Sequence, residues 1–452
     1  MPIDQLPERQ NFCRPKRLAG MTPNSRSVSG LKRAAAVATA AATAALTFVL
    51  APASHAAAAE TSLPLGDAGL EETRSSQTLA DGVTLTRIVR GTEPAPADQI
   101  NTTTRGPWMV NVLTIDPRMT RGHLEATYGP DLAKVEKTTD LVRSSGALAG
   151  VNASFFTFTG SAQYPGDPVG LGLFGGKLLS EPTQRSDEVD FVVDANSNRV
   201  LMGKLSWSGS VQNRQTEATL PLKFINHPPV VPGACAGLTD QTQCIVPGDV
   251  VEFTPEFADA TPSGAGVEVV LDQHGCVVRT STTRGTRLTD GQTSLQATGR
   301  DAASLLQVAG QGCVKETSTL VNEQGEELPA RKGLFGVNGR YRLTADGQIV
   351  VPAGAGSFFE RNPRTIAGTT RDGKIVLATI DGRMTSSVGT TMDETAAVAD
   401  ALGMHDAVNL DGGGSTTMSV EGALVNRPSG TTERAVGDAL VFMNTRYRDG
   451  QG

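Results

Sequence analysis

The sequence predicts an α+β protein: β-rich mixed sheets flanked by a few helices, with an additional disulfide-containing β-rich tract. Three observations predict it. Short runs in which apolar and polar residues alternate recur along the chain, the period that half-buried strands require. Glycine reaches 50 of 452 residues, above the usual share of roughly 7%, and it follows no three-residue period, so it marks turns rather than a collagen helix. Helical patterns are few, and no heptad is sustained.

In chain order, the first signal is a leader. Lys32-Arg33 precedes the small apolar run Ala34 to Ala51, and small residues continue through Ala59. A basic n-region, an apolar core and a small-residue cleavage site predict a secretory signal peptide, with a mature start between Ala56 and Glu60 and an upstream extension before Met21. Secretion and no stable membrane insertion after signal removal follow. Residues 60–80 are polar and predict a flexible segment. Val83 to Arg90 and Trp108 to Ile115 alternate as strands. Asp131 to Ser145 predicts a helix with Gly146 at its C-terminal cap, followed by a strand over Ala147 to Val151.

Residues 204–330 form a β-rich insert or second module that holds all four cysteines of the mature chain. They predict two disulfides, Cys235–Cys244 and Cys276–Cys313, in keeping with export. The tract includes a hairpin around Gln273-His274-Gly275 and a helix from Asp301 to Val308. Beyond it, Arg364 to Thr370 and Lys374 to Ile380 form a hairpin across Arg371-Asp372-Gly373. Thr391-Met392-Asp393-Glu394 is a capping box that opens a helix. Asp406 to Leu410 is a buried strand ending at Asp411-Gly412-Gly413-Gly414-Ser415. Helix, glycine, apolar strand and Asn thus occur twice, ending at Asn152 and Asn409. Coincidence of ordinary units explains this as well as a shared site does.

Charge narrows the function. Residues 1–59 carry +5 of a total of −7, which leaves −12 for the rest. An acidic body without basic clusters is a poor match for nucleic acid. Gly170 to Gly175 spells a dinucleotide pattern but lacks the following helix, so it predicts a hairpin turn. Asp194 to Asn198 lacks the glycine and closing acid of a calcium loop. Four histidines in the mature chain sit in no ligand-like spacing. No cofactor and no metal are predicted.

The triglycine segment is the most informative. Three glycines at a strand end suit a sharp turn or close approach to a ligand, and their N–H groups predict an anion nest, with Ser415 and Thr416 as further donors and Asp411 at the lip. Arg364, Asp381-Gly382-Arg383, Asn426-Arg427 and Glu433-Arg434 add guanidinium groups and carboxylates at the ends of β elements.

Gly150-Val151-Asn152-Ala153-Ser154-Phe155-Phe156, Asn362-Pro363-Arg364-Thr365, Ile380-Asp381-Gly382-Arg383, Asn409 to Ser415 and Asn426-Arg427-Pro428-Ser429 occur in order. Together they resemble the phosphodiester glycosidase domain family, the domain of the lysosomal uncovering enzyme. Residues 81–203 and 331–447 are then the two parts of that domain. The family commonly has Gly-Gly where this chain has Ala153-Ser154. The resemblance implies a secreted hydrolase that cleaves a sugar-1-phosphodiester, or related phosphate-containing glycan, to free sugar and phosphomonoester. Asp411, Asp381 and Glu433 are its candidate catalytic carboxylates. Asn152, Arg364, Arg383, Asn409, Gly412, Gly413, Gly414, Ser415, Thr416 and Arg427 are its candidate substrate-binding residues. A non-catalytic binder of phosphate-containing cell-surface glycan is the alternative.

Overall fold

A computed structural model describes residues 62–158 and 160–447. The predicted leader and its cleavage site lie outside the described residues.

The fold is β-rich with a few helices, and its frame is two antiparallel sheets face to face. Down the large sheet, neighbouring strands are Glu72–Ala80, Val83–Arg90, Trp108–Ile115, Ile375–Ile380, Arg364–Thr370, Met404–Asn409 and Leu334–Ala345, followed by shorter strands. The small sheet orders Ala423–Leu424, Met418–Val420, Ala149–Asn152, Asp438–Met443 and His123–Tyr128.

Alternation dictates this layering. In the run Ile375–Ile380, Ile375 and Leu377 join the core against the small sheet, with Val151, Leu440 and Phe442. Val376, Ala378 and Ile380 point the other way, into a second core with Trp108, Ile366 and the Met392–Ala401 helix. A strand covered on both faces reads as a near-continuous apolar run, and in this one Thr379 is the single polar residue. The helix carries the predicted capping box: Thr391 Oγ1 accepts from Glu394 N–H at 3.1 Å, and Glu394 Oε2 accepts from Thr391 N–H at 2.9 Å.

Within residues 204–330, a three-stranded and a five-stranded sheet bury the Asp301–Ala309 helix between them. Cys235–Cys244 and Cys276–Cys313 are both disulfide-bonded. The glycine-rich 170–176 stretch is a hairpin, with Gly175 and Gly176 at φ +60° and +90° in its turn.

Two expectations are corrected. Residues 62–80 are not a loose segment: Glu72–Ala80 pairs with Val83–Arg90, and Leu63 and Leu65 are buried beside Trp108. Glu72 Oε2 accepts from Leu63 N–H at 2.8 Å, fixing a segment whose polarity alone suggested freedom. The helix expected over 131–145 is confined to Thr138–Ser144. Leu132 and Ala133 instead donate their N–H groups to the Glu256 and Phe257 carbonyls, and Glu136–Lys137 pairs with Ala435–Val436. Tertiary partners there outweigh a weak helix propensity.

Candidate active site

Register assembles the site. Arg364, first in its strand, pairs with Ile380, last in the adjacent one. Ile366 and Arg340 flank Asn409, last in the Met404–Asn409 strand, from either side. One start, two ends and a bulged strand therefore meet at one place. The bulge falls at Tyr341, whose φ is +64°, and bulges beside active sites commonly re-aim a side chain.

There the surface sinks into a cavity of about 270 Å³, lined by Arg340, Arg364, Arg383, Arg434, Asn409, Asp411 and Gly412 to Gly414, with Phe155 and Phe358 as apolar walls. Asp411 is half-buried and is the cavity's carboxylate. Burial pushes it up to about 6, opposed by a hydrogen bond from the Ser415 hydroxyl and by the Arg434 charge. Its pKa thus falls where a carboxylate can gain and lose a proton in mild acid.

The guanidinium groups have distinct anchors. Arg434 Nη1 donates to Ser415 Oγ at 3.3 Å, and its guanidinium stacks 4.6 Å over the Phe158 ring. Arg340 lies 4.6 Å over Phe155, and burial depresses its pKa. Arg383 adopts φ +60° and donates from Nη2 to Asn362 Oδ1 at 2.6 Å. Left-handed non-glycine residues concentrate at functional sites, where surrounding contacts hold the strain.

Arg364 is committed differently from the open fork the sequence suggests. Its Nε donates to the Thr390 carbonyl at 3.2 Å, and its Nη2 to the Phe358 and Glu360 carbonyls at 2.8 and 2.9 Å. It therefore organises the loop that carries Phe358 while adding charge to the cavity. Burial, then Arg383, lowers its pKa to about 10.

The triglycine segment also works otherwise than expected. Asp411, Gly413, Ser415 and Thr416 donate their N–H groups to carbonyls of Ala153, Pro363, Gly412 and Gly413, so these four donors are spent within the fold. The glycines are needed for approach. A Cβ on Gly412 would lie 2.8 Å from the Pro363 carbonyl, and one on Gly414 would lie 2.2 Å from Arg434 Nη2.

Other candidates lie behind or away from the cavity. Asn152 is fully buried; its Nδ2 donates to the Asp411 carbonyl at 2.6 Å, and its Oδ1 accepts from Thr365 Oγ1 at 2.7 Å and Thr417 N–H at 3.0 Å. It clamps the two sheets and fixes the Asp411 backbone. Asp381 is fully buried, accepting from Asn426 Nδ2 at 2.9 Å and Arg427 N–H at 3.0 Å, and burial pushes its carboxyl up to about 6. Glu433 accepts from Thr139 N–H at 2.9 Å and Thr139 Oγ1 at 2.7 Å, at the start of the Thr138–Ser144 helix. Arg427 is exposed, and Thr416 is buried. Neither is among the cavity-lining residues.

Arg340 was missed from the sequence. Its signal is the alternation of Asn338 and Arg340 directly after an apolar run, which sets both on one face of the strand before the bulge at Tyr341.

Residues 265–443 match the family model described as phosphodiester glycosidase. That stretch resembles a phosphodiester glycosidase domain. The match includes all four cavity arginines and Asp411, and it begins inside the 204–330 tract. A crystal structure from Burkholderia pseudomallei K96243, named as a candidate exported protein, shares 27% identity with a TM-score of 0.71, covering 85% of this chain and 98% of that one. A hypothetical protein from Synechocystis shares the fold at 18% identity and a TM-score of 0.58, over 83% of this chain and 68% of that one. An uncharacterised SPbeta prophage-derived protein of Bacillus subtilis (strain 168), YomE, is 40% identical over 82 residues, 18% of this chain. The chain spans only 13% of that relative's length.

Proposed function

We propose that the protein is a secreted hydrolase that cleaves a sugar-1-phosphodiester to free sugar and phosphomonoester. The observation that carries this reading is one carboxylate, Asp411, set among four guanidinium groups in a single cavity. Guanidinium groups suit the phosphate. The carboxylate suits an anomeric carbon that gains positive charge as its bond breaks. In the reaction the anomeric C–O bond breaks, its electron pair leaves with the phosphomonoester, and a water molecule adds its oxygen to the anomeric carbon while one of its protons is released to solvent. A phosphomonoester is already a good leaving group, so the cavity needs no second carboxylate to protonate it.

Asp411 also weighs against a pure binder, because a negative charge beside a bound phosphate opposes it. The two disulfides and the leader pattern support export. The test is incubation of the mature protein with a panel of sugar-1-phosphodiesters, scoring both products. Release of sugar and phosphomonoester together supports the reading. Tight binding of the same diesters without release would instead favour the glycan binder.

A further inference from the structure

Beside this cavity lies a buried aspartate with no role so far. Asp438 opens the Asp438–Met443 strand and is 1% exposed. Its Oδ1 accepts from Ser154 N–H at 2.7 Å, whereas its Oδ2 is buried without a hydrogen-bond partner. One residue links it to Asp411. Ala153 N–H donates to the Asp438 carbonyl at 3.3 Å, and the Ala153 carbonyl accepts from Asp411 N–H at 2.9 Å.

The two carboxyls are unequally supported. Asp411 has the Ser415 hydroxyl and Gly412 N–H on it, with Arg434 and Arg340 acting on its charge. An ionised Asp438 would leave one oxygen unpaired in the interior, where an uncompensated charge is costly and the protonated acid is not. Asp411 is therefore the member that ionises first, and its charge then opposes ionisation of the other.

We infer that Asp438 is a positioning residue for Asp411: in mild acid it keeps its proton after Asp411 has lost its own, so the pair there presents one negative charge to the cavity. It also ties down the 153–154 backbone on which Asp411 hangs. This inference rests on Asp411 being the working carboxylate. Burial, with the Asp411 charge as a lesser cause, pushes Asp438 up to about 6. Among the described residues, no cation acts on it. Tyr128, its register partner on the His123–Tyr128 strand, packs against Phe174, and Arg340 acts on Asp411. Among the described residues, the Ala149–Asn152 strand and the turn after it offer it Ser154 alone, whose N–H donates to Oδ1.

The experiment is carbon-detected NMR titration of the aspartate carboxyls in the parent, Asp411→Asn and Asp438→Asn, with the pH profile of kcat/KM alongside. Asp438 should titrate above Asp411 in the parent. Asp411→Asn should lower the Asp438 midpoint by about one unit, a tenfold change in proton affinity. Asp438→Asn should leave the Asp411 midpoint and the acid limb of kcat/KM in place while abolishing the higher carboxyl step. An Asp438 that titrates first, or that ignores Asp411→Asn, overturns the inference. Should Asp438→Asn not fold, the Asp411→Asn titration decides. The carboxyl midpoints are read without substrate, so a failure of hydrolysis and a failure of this inference are separate results.

Discussion

Gly414→Ala perturbs the cavity with almost no perturbation of the fold. Gly414 has no positive φ, so alanine adds no backbone strain, but its Cβ would lie 2.2 Å from Arg434 Nη2 and 2.5 Å from Cζ. Those atoms end a flexible side chain, and the chain can swing clear. Swinging clear breaks the Arg434–Ser415 hydrogen bond and the stack on Phe158. Losing one charge-assisted contact to an anion costs about 1.5–3 kcal/mol, roughly ten- to a hundredfold in affinity. Stability should stay near the parent's, since replacing glycine where alanine fits the backbone gains about 0.4–1 kcal/mol through the unfolded chain. Sulfate binding by calorimetry, with thermal melts, reads both quantities. Gly237, whose added Cβ meets nothing within 4 Å, is the control as Gly237→Ala. A folded Gly414→Ala that binds sulfate like the parent would refute the claim that Arg434 holds the anion.

Other outcomes follow from the same geometry. Because Asp411 must be ionised to act and sits at about 6, kcat/KM should fall as pH drops through that value. Asp438 has a folded pKa above the ordinary carboxylate value, so its contribution to stability is complete below about pH 4 and is lost as pH rises through about 6. The stability of Asp438→Asn relative to the parent should accordingly rise by about 2–3 kcal/mol from pH 4 to pH 8 in denaturant melts; a pH-independent difference would contradict this. Glu433→Gln should cost about 1 kcal/mol by loosening the Thr138–Ser144 helix while kcat stays within a few-fold; a collapse of kcat with normal melting would return Glu433 to the chemistry. Replacing Cys276 and Cys313 by serine should cost about 2–4 kcal/mol, read as a lower Tm against the oxidised parent.

Much of the frame is legible in the sequence because it is locally encoded. The Arg364–Thr370 and Ile375–Ile380 hairpin, the Thr391 capping box and both disulfides declare themselves in a few residues each. The 131–137 stretch departs from its helical pattern because carbonyls more than a hundred residues away take its N–H groups. At the site, sequence order shows which residues occur at strand ends but not which way they face. Asp381 and Asp411 both follow buried strands, yet Asp381 turns to Asn426 and only Asp411 meets the cavity. Arg340 and Asp438 sit in strands whose register, set by distant partners, decides that they approach Asp411.

The most direct test is hydrolysis of a sugar-1-phosphodiester by the parent and by Asp411→Asn, with melts and sulfate binding confirming a folded protein and an intact anion site. The parent should release sugar and phosphomonoester, and Asp411→Asn should bind the anion yet turn over 10²–10⁴-fold more slowly, roughly 3–5 kcal/mol in the barrier. Turnover by folded Asp411→Asn at the parent's rate would contradict it.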